Sequence, residues 1–90
     1  MAEPDVTVEL FGLARHRAGR AAVEVRGRTI ADVLRAVVDE CPRLVELVAA
    51  DGSVSGQFLV SVDGERFVRD TTEVIRRGSR LLILGADAGG

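Results

Sequence analysis

Ninety residues, 47% hydrophobic and 29% charged, suffice for one compact domain but not two, and exclude a disordered tail protein. With a net charge of -2, no Trp, no Tyr and only Phe11, Phe58 and Phe67 as aromatics, the chain offers neither a basic field nor a stacking platform for nucleic acid. Cys41 is the single cysteine, which excludes an internal disulfide, an iron–sulfur cluster and a structural zinc site of the usual kind, so no metal site is expected.

The start, Met1 to Asp5, is acidic rather than the basic opening of a signal peptide, and no apolar run approaches the roughly 18 residues that span a bilayer. A cytoplasmic protein without a membrane partner is expected. Val6, Val8 and Leu10 alternate with Thr7, Glu9 and Phe11, the period of a strand with one face on a core. From Gly12 to Gly19 the chain carries Arg15, His16 and Arg17, Arg20 follows, and Val23 and Val25 resume the alternation. The pair reads as a hairpin with a long loop.

Thr29 opens a Thr-Ile-Ala-Asp segment in which its hydroxyl accepts a backbone N–H and Asp32 sits at the positive end of the helix dipole. Ile30, Val33, Leu34, Val37, Val38 and Cys41 follow at three-and-four spacing and form the core-facing stripe of the main helix, which Pro42 interrupts. Leu44, Val45, Leu47 and Val48 suggest a short second helix with Pro42 near its first position. Phe58–Val62 and Glu65–Val68 flank Asp63-Gly64, a two-residue hairpin turn. Arg80 to Leu84 is a continuous apolar strand suited to a central place in a sheet. If Leu81 and Ile83 face the core, Leu82 and Leu84 face outward on the side of Phe11.

Residues 85–90, Gly-Ala-Asp-Ala-Gly-Gly, carry no large side chain and read as a flexible tail after a domain of residues 1–84. Fully extended, six residues reach roughly 20 Å. Gly89 and Gly90 lack a Cβ, so they fit a narrow channel and let a partner's catalytic groups approach the backbone closely.

Four segments in this order resemble the ThiS/MoaD family of ubiquitin-like sulfur carriers. They are Val6 to Gly12, Gly27 to Leu34, Phe58 to Gly64, and Leu81 to Leu84 with Ala88-Gly89-Gly90. The resemblance implies an α+β fold of the β-grasp (ubiquitin-like) type, a mixed sheet of four to five strands on one main helix with a short second helix. It implies that Gly90, presented through Gly89, is adenylated and converted to a thiocarboxylate. The partners it implies are an adenylyltransferase/sulfurtransferase related to ubiquitin-activating enzymes, which consumes Mg-ATP, and a sulfur-accepting biosynthetic enzyme. The chain would then be a protein co-substrate rather than an enzyme, with no bound cofactor. Phe11, Leu82, Leu84 and Ala88 are the implied docking residues. The segment Pro42 to Gln57 lengthens the chain towards MoaD-type molybdopterin carriers, the preferred likeness, or cysteine-biosynthesis carriers, beyond the usual length of ThiS-type thiazole carriers; cysteine, thiazole and a thiosugar or other secondary metabolite stay open as products. Two other readings of the tail remain: a ubiquitin-like modifier joined to target lysines through Gly90, and a β-grasp interaction domain without terminal chemistry.

All twelve basic residues are arginine, and lysine is absent. An activated acyl group therefore meets no lysine on its own chain. Cys41, on the helix stripe, reads as a buried inert thiol, and His16 as a solvated loop residue. The Arg15, Arg17 and Arg20 cluster reads as a soluble charged loop, or as a steering patch for an acidic partner.

Overall fold

Val6, Val8 and Leu10 are buried while Thr7 and Glu9 between them are not, so the expected alternation builds strand β1, Asp5–Leu10, with one face on the core. The computed structural model describes residues 5–86. β2, Ala22–Arg26, runs antiparallel to β1, with Val8 opposite Val23 and Val6 opposite Val25. β3 (Phe58–Val62), β4 (Arg66–Val68) and β5 (Arg80–Gly85) complete a five-stranded sheet of order β2-β1-β5-β3-β4. β5 pairs parallel with β1 and antiparallel with β3, so the sheet is mixed and β5 occupies its centre, as the apolar run predicts.

The segment between β1 and β2 differs from the expected loop. Residues Gly12–Ala18 form a seven-residue helix, α1. A helix this short does not hold itself in water; packing does it here. Ala14 is fully buried, Ala18 packs on the core, and Gly19 (φ 70°) closes the end by donating its N–H to Arg15 O at 2.9 Å. Arg15, His16 and Arg17 in the last turn face the negative end of the dipole.

Helix α2, Ile30–Glu40, begins as its sequence predicts. Asp32 N–H donates to Thr29 Oγ1 at 3.2 Å and Thr29 N–H donates back to Asp32 Oδ2 at 3.4 Å, a reciprocal cap of a kind whose loss costs about 1 kcal/mol. Ile30, Val33, Leu34 and Val37 are all completely buried against the sheet. Gly27 passes so close to this helix start that a Cβ there would lie 2.9 Å from Val33 N. Pro42 then opens a 3₁₀ helix, Pro42–Leu47, which buries Leu44 and Leu47 on the same side of the sheet as α2. This arrangement, a mixed five-stranded sheet wrapped over one main helix, is the β-grasp fold.

The Asp63-Gly64 turn joins β3 to β4 with both residues at positive φ, 55° and 71°, the backbone a two-residue hairpin needs. No helix among the described residues is long and apolar enough to cross a membrane.

Candidate functional site

β5 places its side chains in two sets. Leu81 and Ile83 are completely buried beneath the sheet, while Leu82 and Leu84 are half-buried on the opposite face. The ladder registers put Phe67 beside Ser61, Ser61 beside Leu82, and Leu59 beside Leu84. Phe11 follows the Leu10–Ile83 pair, as Leu84 does on β5, and donates its N–H to Ile83 O at 2.9 Å. Phe67 and Phe11 are exposed, at 63% and 43%. The outward expectation for Leu82 and Leu84 on the side of Phe11 therefore agrees with the strand pairing, and Leu59 and Phe67 join them. β5 is central, yet among the described residues no helix covers one of its faces.

This open face leads to the end of β5. Gly85 is buried and paired with Phe58, and Ala86 donates its N–H to Gln57 O at 2.9 Å, so ordered pairing runs past the expected boundary at residue 84. Leu13 of α1 packs on Gly85 and is itself partly exposed. The guanidinium of Arg17 lies 5.7 Å from the Phe58 ring centroid and reaches Glu46 at 2.9 Å, pinning α1 beside the same strand end. Phe11 and Leu13 are thus two apolar side chains at the end of the central strand. Nothing in the sequence marks Leu13 for this place, because Arg15, His16 and Arg17 between two glycines predict a loop. Ala88, Gly89 and Gly90 lie outside the described residues.

His16 and Arg15 are exposed on α1, on a shallow depression lined by Gly12, Arg15, His16, Gly19, Arg20 and Ala21, and Arg20 reaches Glu40 at 3.5 Å. Cys41 is buried at the end of α2, and its N–H donates to Val37 O. The carboxylates held below their ordinary range are elsewhere. Asp51 is held by Ser53, Asp70 by Thr72, and Glu73 by the Arg66 guanidinium. Among the described residues no three His, Cys, Asp or Glu side chains gather as metal ligands. Among the described residues neither a proton-transfer pair nor a nucleophile with its base is assembled on this surface; what it presents is an open apolar face and a central strand that ends beside it.

No family model and no curated protein matches the chain. Solved structures do. SAMP1 from Haloferax volcanii is 26% identical, with 96% of this chain and 99% of that one covered and a TM-score of 0.80. A chain of the Amycolatopsis orientalis BexX/CysO complex is 25% identical over 94% of this chain and 99% of its own, at a TM-score of 0.78. A putative molybdopterin converting factor subunit 1 from Pyrococcus furiosus, 20% identical, shares the fold over 92% of this chain and 98% of its own, at a TM-score of 0.73.

Proposed function

We propose, from the premise that this chain is a ubiquitin-like β-grasp protein similar to the ThiS/MoaD family, that it is a cytoplasmic sulfur carrier whose working group is the carboxylate of Gly90. The observation that supports this best is the continuity of β5. The central strand ends at Gly85 beside an open apolar face, and Gly89 and Gly90 stand four and five residues further on. Those five residues span at most about 17 Å, a reach suited to a partner's active site that docks on the face. Phe11, Leu82, Leu84 and Ala88 would contact that partner, with Leu59, Phe67 and Leu13 extending the contact.

A carboxylate is a poor electrophile, so the chemistry falls to others. An adenylyltransferase related to ubiquitin-activating enzymes would use Mg-ATP to form an acyl-adenylate on Gly90, releasing pyrophosphate. The terminal sulfur of a partner persulfide would displace AMP and leave an acyl disulfide; a second partner thiol would cleave it, forming a disulfide and freeing the thiocarboxylate. That soft nucleophile then donates sulfur to a biosynthetic enzyme. Molybdopterin is the preferred product class and cysteine the next. The carrier acts as co-substrate, not catalyst.

A second reading has one observation in its favour, the likeness to SAMP1 of Haloferax volcanii, a small archaeal modifier protein. In it, Gly90 forms an amide with a target amine. The intact mass of the protein from its native cells separates the two. A carrier is heavier than its sequence by the difference between sulfur and oxygen, and deleting Gly90 abolishes the change. Large adducts on other proteins would instead mark a modifier, and a bare carboxylate under sulfur demand, with Gly90 dispensable for growth, would remove both readings.

A further inference from the structure

We infer that this chain is a donor only as far as its side chains go: none of them, on the same molecule or on a second copy, takes up the activated acyl group of Gly90, so that, the α-amine of Met1 apart, the acceptor is a nucleophile of another molecule. The inference rests on the reading of Gly90 as the reactive end and adds to it what the group can and cannot be transferred to.

An acyl-adenylate reacts with any unprotonated amine, forming an amide and releasing AMP and a proton. Lysine is among the commonest residues of an average domain and is the usual source of such amines. Here every one of the twelve side-chain cations is a guanidinium. Arginine stays protonated at any physiological pH and presents no lone pair.

Thiols are the next acceptor class, and the one thiol is out of reach. Cys41 is 4% exposed, sealed in the core cluster at the end of α2. Hydroxyls need a base to become nucleophiles, and the carboxylates bonded to the Ser53 and Thr72 hydroxyls, Asp51 and Asp70, are held below their ordinary range and are weak bases. The single imidazole, His16, sits on a depression whose other lining residues are Gly12, Arg15, Gly19, Arg20 and Ala21, none with a hydroxyl. Acylated imidazole itself returns its acyl group to water. What is left is the α-amine of Met1.

Two consequences follow for an activated molecule: it does not close on one of its own side chains while it waits for its partner's sulfur, and copies cannot be strung into side-chain-linked chains.

The test uses the whole chain, released from an intein by 2-mercaptoethanesulfonate so that Gly90 carries a thioester, and acetylated at Met1. Attack by an amine on this thioester gives an amide and frees the thiol. At mildly alkaline pH the expected products are hydrolysed protein alone and, when free lysine is added, its amide adduct. Arg15→Lys and Arg43→Lys place an amine on exposed positions without an ion pair in the described residues, and each should give self-linked monomer or covalent dimer mapped to the new lysine. A wild-type dimer or cyclised product mapped to a side chain, Cys41 included, would overturn the inference. So would lysine variants as inert as wild type. No activating enzyme is used, so failure of ATP-dependent activation would sink the proposed function and leave this result readable.

Discussion

A β-carbon built on Gly85 would come 3.0 Å from the Cβ of Leu13, closer than side chains normally pack. The contact joins the last residue of β5 to α1, the helix that the sequence had presented as a loop, and it sets where the chain leaves the sheet. Leu13 Cβ is fixed by the helix backbone, so no rotamer change relieves the crowding. Gly85→Val should cost about 1–3 kcal/mol by overpacking, read as a lower urea midpoint. Leu13→Ala keeps the offending atom and should not rescue Gly85→Val, whereas Leu13→Gly should recover part of the midpoint. Rescue by alanine would show that the crowding lies elsewhere.

Leu84 and Leu82 stand half-buried on the outer face of β5, next to exposed Phe11. A charge at Leu84 stays in water while the protein is free, so Leu84→Glu should shift stability by less than about 1 kcal/mol. Buried against a partner, the same carboxylate loses its solvation, and carrier activation should fall at least tenfold through a raised KM. An activation rate equal to wild type would remove Leu84 from the interface.

How much of this was legible depended on whether a residue's role was set locally. The Thr29–Asp32 cap, the Asp63-Gly64 turn and the alternation of β1 are decided within a few residues, and each stands where the chain alone placed it. α1 was not visible. Its seven residues hold Arg15, His16 and Arg17 between two glycines, with no apolar stripe to announce a helix, and it forms because Ala14 packs under it and Gly19 closes it. The outer face was read only from β5, since Leu59 and Phe67 join Leu82 and Leu84 through strand pairing that no single segment encodes. Gly85 read as tail because glycine promises freedom; pairing with Phe58 takes it away.

Acid should loosen the turns before the core. Asp70 accepts from Thr72 Oγ1 at 2.6 Å and from Thr72 N–H at 3.0 Å, Asp51 accepts from Ser53 in the same way, and Glu73 is bonded by Arg66. These bonds favour the charged forms and lower all three pKa values. The folded protein therefore holds its protons less tightly than the unfolded chain. The stabilisation is complete above the unfolded carboxylate pKa and is lost as pH falls through the folded one. A urea midpoint that declines from about pH 5 to about pH 3 is expected, with a shallower decline in the Asp51→Asn, Asp70→Asn, Glu73→Gln triple variant. Parallel slopes in the two proteins would assign the acid sensitivity to other groups.

Cys41 supplies a sensitive report on the half of the core that α2 and the 3₁₀ helix share. Its side chain lies in the same buried cluster as Val37, Leu44 and Leu47, and Leu44 N–H is bonded to its carbonyl at 2.9 Å, so a reagent reaches the sulfur only when the α2 end and the 3₁₀ helix part. If opening were local fraying, the thiol would react at a rate nearly independent of destabilising changes elsewhere in the sheet. If the core opens as one unit, labelling by 5,5′-dithiobis(2-nitrobenzoate) tracks global stability. A core variant on the far side, Ile83→Ala, costs about 2–5 kcal/mol, and it should then speed labelling by at least about 30-fold, since each 1.4 kcal/mol is a factor of ten. The completely buried position of Ile83 beneath the central strand, and the single cluster that contains both residues, favour the global mode. Labelling of the Ile83→Ala variant at the wild-type rate would instead establish that the α2 end opens by itself and that the thiol is less well sealed than its burial indicates.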